Sequence, residues 1–152
     1  MRAPFQILVL PFRRTASGTW EFAAFRCVDG DFWQFIAGGG EDEETPLQAA
    51  QRETREEAGI PETAPFHPLQ STCTVPVTAF PANTDRWTAE GLYAIPEHAF
   101  AVRADGATIR LSREHTEFRW GTEAEITALL RWDSNRNALW ELSQRLARGA
   151  LG

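Results

Sequence analysis

Gly38-Gly39-Gly40-Glu41-Asp42-Glu43-Glu44-Thr45-Pro46-Leu47-Gln48-Ala49-Ala50-Gln51-Arg52-Glu53-Thr54-Arg55-Glu56-Glu57-Ala58-Gly59-Ile60 holds the most punctuated helix signal in the chain. Thr45 is suited to the N-cap, Pro46 to the first helical position, and Gln48 completes a capping box three residues after Thr45. Gly59 followed by Pro61 ends the helix. On a wheel turning about 100° per residue, Glu53, Glu56 and Glu57 fall within an arc of roughly 100°. Leu47, Ala50, Thr54 and Ala58 occupy the neighbouring arc, while Gln48, Gln51 and Arg55 lie beyond it. The helix thus has an apolar stripe, a solvent face and a separate acidic edge.

That edge is costly by itself. Residues three or four apart on a helix have Cβ atoms about 5–6 Å apart. Two unit charges ~5 Å apart repel by roughly 3 kcal/mol at an effective dielectric of about 20. Arg52 offsets part of this through Glu56, and a hard divalent cation offsets far more, since Mg²⁺ takes carboxylate oxygens and keeps positions for water and phosphate. A solvated acidic face is the bland alternative for the three glutamates taken alone.

Around this helix the chain reads as one domain, residues 1–152, with no repeat, low-complexity tract or dividing linker. Residues 5–10 read as a strand buried on both faces, 20–27 as a second, and 31–36 as a third leading into the three glycines. Further strands are expected at 69–80, 87–95 and, more weakly, 102–111. Helices are expected at about 123–130 and 134–148, the latter under an Asp133 or Ser134 cap. Strands and helices interleave without strict alternation, which favours an α/β fold with a mixed β-sheet sandwiched between helices.

Composition narrows the partners. Hydrophobic residues make up 43% and charged residues 24%, which excludes disordered and fibrous classes. Fifteen Lys+Arg against 21 Asp+Glu give a net charge of −6, the wrong sign for gripping a nucleic acid polymer. The longest run without a polar residue, Ile7 to Phe12, is far short of the roughly 20 residues of a membrane span. Gln6, Arg13 and Arg14 interrupt any signal-peptide core, so a cytoplasmic location is expected. Cys27 and Cys73 have no metal-ligand spacing and read as separate core thiols.

The 23-residue segment resembles the signature box of the Nudix hydrolases, with Gly38, Glu44, Arg52, Glu53, Glu56, Glu57, Gly59 and Ile60 all in register. Seven fixed identities at roughly 6% usage each arise by chance in well under one in a million chains of this size. Two positions depart from the pattern: Thr54 replaces an aliphatic residue, and Ile36-Ala37-Gly38 replaces the common Pro-Gly-Gly entrance. A broader likeness points to the bacterial dihydroneopterin triphosphate/dATP pyrophosphohydrolase branch. It rests on Asp31-Phe32-Trp33-Gln34, on Glu114-His115 followed by Trp120, and on Trp132-Asp133-Ser134-Asn135-Arg136.

The resemblance implies a Nudix-type α/β/α sandwich and Mg²⁺- or Mn²⁺-dependent hydrolysis of a pyrophosphate bond. The substrate is then a small phosphorylated molecule, and the enzyme a monomer or homodimer. It implies Glu53, Glu56 and Glu57 as metal ligands, with the backbone carbonyl of Ala37 or Gly38 as a further contact. The catalytic set is Glu53, Glu114 and Arg52. Either Glu53 or Glu114 serves as base, Glu117 is the near rival of Glu114, and Arg52 orients a glutamate. Glu114 is also a candidate metal ligand. Glu44 is read as charge favouring the helix N-terminus. Arg2, Arg26 and Ser134 fall at positions that touch phosphate or nucleoside in that branch. His67, His98 and His115 receive no chemical role, and the six Trp residues offer stacking platforms or simple core. A nucleoside or pterin triphosphate is the favoured substrate. ADP-ribose, dinucleoside polyphosphates, nucleotide sugars, a non-catalytic Nudix module, a Nudix-like isomerase and a structural role are the alternatives.

Overall fold

Strand β1 (Arg2–Arg14) organises the protein, because its run of apolar residues leaves no polar face. Ile7 and Val9 point to one side of the sheet and pack with Ala49, Ala50, Ala58 and Ile60 around the acidic helix. Leu8, Leu10 and Phe12 point to the other side, against Ile126, Ala138, Leu139 and Leu142 from the last two helices. In this computed structural model, which describes residues 1–151, both faces of β1 are therefore covered by helix.

The remaining elements follow in chain order as β2 (Trp20–Cys27), β3 (Trp33–Gln34), β4 (Ile36–Glu41), α1 (Pro46–Ala58), β5 (Phe66–Pro76), a single 3₁₀ turn (Val77–Ala79), α2 (Thr84–Ala89), β6 (Ala94–Arg103), β7 (His115–Gly121), α3 (Glu123–Leu129) and α4 (Asp133–Ala147). The seven-stranded sheet runs β3-β2-β1-β6-β5, with β4 added on β1 and β7 on β2. The β1–β6 pair is parallel, whereas β1–β2, β1–β4, β2–β7 and β5–β6 are antiparallel. The expected mixed sheet between helices is the observed architecture.

Several boundaries differ from the expectations. The expected strand over 87–95 is instead α2, a turn at Gly91 and the start of β6, and Trp87 is fully buried against Val77 and Ile95. Its aromatic content suggested a strand, but burial under the 3₁₀ turn decides its conformation. The expected strand over 102–111 ends at Arg103, where Asp105-Gly106 turns the chain, and Arg110 then donates its N–H to Ala58 O at the C-terminus of α1. The strand over 69–80 begins earlier and stops at Pro76. Strand β7 was not anticipated; it pairs with β2, and Arg13 lies over its Trp120 ring at 4.1 Å. α4 begins one residue early, capped by Trp132 without a side-chain bond rather than by Asp133 or Ser134.

The three glycines belong to β4 itself. Their bare Cα atoms admit the guanidinium of Arg2 at Gly39, the Phe5 ring at Gly40 and the Glu53 carboxylate at Gly38. A methyl at Gly38 would lie 2.6 and 2.7 Å from the two carboxylate oxygens of Glu53.

Candidate active site

The site is built on α1, and the local sequence fixes where the helix starts and stops. Thr45 Oγ1 accepts from Gln48 N–H at 3.2 Å, while Gln48 Oε1 accepts from Thr45 N–H at 2.9 Å, closing the capping box. Gly59 takes the left-handed conformation (φ 71°) and donates its N–H to Arg55 O at 3.0 Å.

Arg52 is the hub of the acidic edge. It grips Glu44 with two nitrogens at 2.8 and 3.0 Å and donates to Glu53 at 3.0 Å, to Glu56 at 3.3 Å and to the carbonyl of Gly39 at 2.9 Å. This ties the helix to β4. The Arg52 hydrogen bond holds the Glu44 carboxyl below the ordinary carboxylate range, and Glu44 in turn raises the Arg52 pKa. Glu44 also accepts the Glu41 N–H at 2.8 Å. It precedes the N-cap, so its part is to hold Arg52 rather than to sit in the first turn of the helix.

The three helix glutamates are not equivalent. Burial pushes Glu53 up to about 7 against the pull of Arg52, with the charges of Glu56 and Glu57 adding to the rise. Glu56 is half exposed at the rim. Glu57 is buried and accepts from Ser112 Oγ at 2.8 Å; His115 Nδ1 lies 3.1 Å from the same oxygen, within ion-pair distance but outside hydrogen-bond geometry. Although burial alone would raise it, these neighbours hold Glu57 below its ordinary value. Glu114 lies within hydrogen-bonding reach of Glu57, and burial together with the Glu57 charge raises its pKa.

The residues expected to act therefore separate. Arg52, Glu53, Glu56, Glu57 and Glu114 form one neighbourhood, with Gly38 against Glu53. Glu117 does not join it: on β7 it faces Arg26 across the strand pair and binds it at 2.9 Å. Arg26 also donates from Nε to Asp31 at 2.6 Å, so both of its sides are committed to acids. Arg2 is half-buried beside Gly39, lies over the Phe80 ring at 5.1 Å, and donates to Phe5 O at 2.8 Å and to Gln6. Ser134 stands apart from α1, on the opposite side of the sheet, at a cavity of about 570 Å³.

Apolar side chains of Leu8, Ala37, Val75, Pro76 and Phe80 line much of that cavity, and Glu97 lines it as well. Ala37 borders it, while the next residue, Gly38, touches Glu53. Gln34 lines both this cavity and a smaller one of about 230 Å³ that contains Glu114 and His115. The sequence gives His115 no chemical role and does not single out Ser112 or Glu97. A signal existed for Glu97, since it alternates with Ile95 and Ala99 at buried positions of β6, where an acid is out of place.

The acidic edge suits a hard divalent cation: its donors are all oxygen, and Gly38 leaves room for the Glu53 carboxylate. Among the described residues, no group of three or more His, Cys, Asp or Glu side chains is placed to hold a metal ion in the arrangement the structure shows. Likewise, no described helix is long and apolar enough to cross a membrane.

The family model of the NUDIX domain matches residues 11–141. A Nudix-family protein of Listeria monocytogenes is 36% identical, with 98% of each chain covered and a TM-score of 0.87. The Escherichia coli dihydroneopterin triphosphate pyrophosphohydrolase is 27% identical over 93% of this chain and 97% of its own, with a TM-score of 0.72. An Ap4A hydrolase of Caenorhabditis elegans, 19% identical over 96% of this chain and 99% of its own, shares the fold with a TM-score of 0.74. No curated protein matches the chain. The NUDIX match, with the Arg52-centred glutamates standing where the signature box puts them, makes this chain a member of the Nudix hydrolase family, and a pyrophosphohydrolase.

Proposed function

We propose that the protein hydrolyses a nucleoside or pterin triphosphate to the monophosphate and pyrophosphate. The observation that carries this reading is the adjacency of two unlike regions across β4. The acidic edge of α1 reaches Gly38 from one face, and the largely apolar cavity of about 570 Å³ reaches Ala37 from the other. A cavity of that size lies within the usual range of small-molecule sites. The 27% identity to the dihydroneopterin triphosphate enzyme over nearly the whole chain supports the same substrate class.

Glu53, Glu56 and Glu57 hold Mg²⁺ or Mn²⁺ in this reading, with Glu114 and a backbone carbonyl of Ala37 or Gly38 as further ligand candidates. The cation supplies positive charge to the phosphoryl oxygens and to the attacking water. Arg52 positions Glu53 and Glu56 and is tied in place by Glu44. Water oxygen bonds to phosphorus, the bridging P–O bond breaks, and the water proton passes to Glu114. Glu114 suits that task better than Glu117, because no arginine neutralises it as Arg26 does Glu117. Ser112 and His115 act as positioning residues for Glu57. Arg2, at the junction of cavity and box, contacts phosphate, Ser134 contacts the ring side, and Arg26 acts only through its acid partners.

The test is a mixed panel of nucleoside triphosphates, dihydroneopterin triphosphate, ADP-ribose and Ap4A, incubated with Mg²⁺ and with EDTA, with products identified by mass. Monophosphate and pyrophosphate from a triphosphate, lost in EDTA, support the reading. AMP from ADP-ribose with triphosphates untouched would overturn the substrate and leave the family standing.

A further inference from the structure

We propose that Glu97 selects the ring of the substrate: its carboxylate accepts the paired N–H groups of a 2-amino-4-oxo heterocycle, guanine or a pterin, and rejects adenine. This rests on the triphosphate reading above and names the base it carries.

Gln6 on β1, Glu97 on β6 and Cys73 on β5 pair directly across the sheet. They form one row on the face that also carries Leu8 and Ala99 beneath α4. Glu97 is only 9% exposed, yet it lines the cavity. A carboxylate is an acceptor only, and burying one without partners is costly. Among the described residues no Lys, Arg or His pairs with it. Its donors are the Cys73 thiol at 3.5 Å, a weak one, and the Ser134 hydroxyl, and burial raises its pKa.

With a thiol and one hydroxyl as donors, the carboxylate keeps unused acceptor positions, and the cavity has room for a ligand that fills them. Phe80, Val75 and Pro76 provide apolar walls for a planar ring. Guanine and pterins present a ring N–H beside an exocyclic amine, two donors spaced to meet the two oxygens of a carboxylate. Adenine presents a bare ring nitrogen beside its amine, and that lone pair faces the carboxylate repulsively. Arg2, over Phe80 and against Gly39, stands where the phosphate chain leaves the cavity for α1.

The experiment compares kcat/KM for dGTP, dihydroneopterin triphosphate and dATP in wild type and in Glu97→Gln, with GMP and AMP as competitors. Wild type is expected to prefer the guanine and pterin substrates and to be inhibited more strongly by GMP. Glu97→Gln, whose amide keeps one acceptor and gains a donor, is expected to lose roughly 10- to 100-fold on those substrates. Its activity on dATP should be unchanged or higher. A merely structural role would depress all three alike, and that result would overturn the proposal, as would a wild-type preference for dATP or AMP. Should no triphosphate be cleaved while another nucleoside diphosphate derivative is, the triphosphate reading fails. Competition by GMP against AMP on that substrate, in wild type and in Glu97→Gln, then still tests Glu97: a GMP preference lost in the variant supports the role, and one that the variant keeps overturns it.

Discussion

Two acids largely withdrawn from water, the partly buried Glu53 and the buried Glu97, are treated in opposite ways by the same sheet. Glu53, on the α1 side, has Arg52 at 3.0 Å and two further glutamates beside it on the helix. Glu97, on the α4 side, pairs with no cationic side chain among the described residues and lines a largely apolar cavity. The first setting concentrates negative charge around one arginine, as a site for a cation and phosphates requires. The second isolates a single acceptor, as recognition of a neutral ring requires. Division of labour between charge handling and shape reading is thus built across the thin edge formed by β4.

The largest expected effect breaks the charge-handling side. Glu57→Gln, measured by steady-state turnover with saturating Mg²⁺, should lower kcat by orders of magnitude. Because Ser112 and His115 contact the carboxylate, the metal-free protein should not gain stability from this change, despite the lost repulsion. A variant with unimpaired turnover would contradict the assignment.

Next is the base. Glu114→Gln should reduce kcat about 10²- to 10⁴-fold, with a smaller change in KM. Glu117→Gln should have little effect on kcat, since Glu117 serves Arg26 at the β2–β7 pair. The reverse order would move the role to Glu117.

Glu53→Gln sharpens the comparison through stability. A carboxyl raised to about 7 in the folded state, against 4.5 unfolded, binds its proton more tightly when folded. Its stabilising contribution is therefore present below about 4.5 and is lost as pH rises toward 7. Thermal denaturation of metal-free protein should accordingly show wild type weakening over that window and Glu53→Gln doing so less. An identical pH slope in both would contradict the burial argument.

The smallest effect lies away from both regions. Glu141 on α4 accepts from the backbone N–H of Gln70 and Ser71, each at 2.7 Å, and from Arg145 at 2.8 Å, joining α4 to β5. Burial opposes ionisation, but these bonds outweigh it and lower the pKa. Glu141→Ala should cost about 1–2 kcal/mol near neutral pH in chemical denaturation. That difference should shrink as pH falls through the depressed folded pKa, below 4.5.

Legibility in the sequence followed the range of the interactions. The capping box at Thr45, the stop at Gly59 and the acidic edge of α1 are set by neighbours within one or two turns, and all were readable. Strand β2 was readable too, with its bounds. What escaped depends on distant partners. Trp87 is helical because the 3₁₀ turn and Ile95 enclose it, and β7 exists because β2 offers an edge. His115 and Ser112 matter because the chain returns 55 residues after Glu57 to set a hydroxyl against it. Arg26, expected at a phosphate or nucleoside contact, is instead paired with Glu117, 91 residues away. The setting of Glu97 depends on a cavity that β1, β4, β5 and α4 enclose together, which no local pattern encodes.

The most direct test of the division between the two acids is a side-by-side measurement of kcat/KM for dGTP and dATP in wild type, Glu57→Gln and Glu97→Gln with Mg²⁺. Glu57→Gln is expected to lower both values by a similar large factor, leaving their ratio near that of wild type, whereas Glu97→Gln should lower dGTP selectively and collapse the ratio. A ratio altered by Glu57→Gln and preserved by Glu97→Gln would contradict the account.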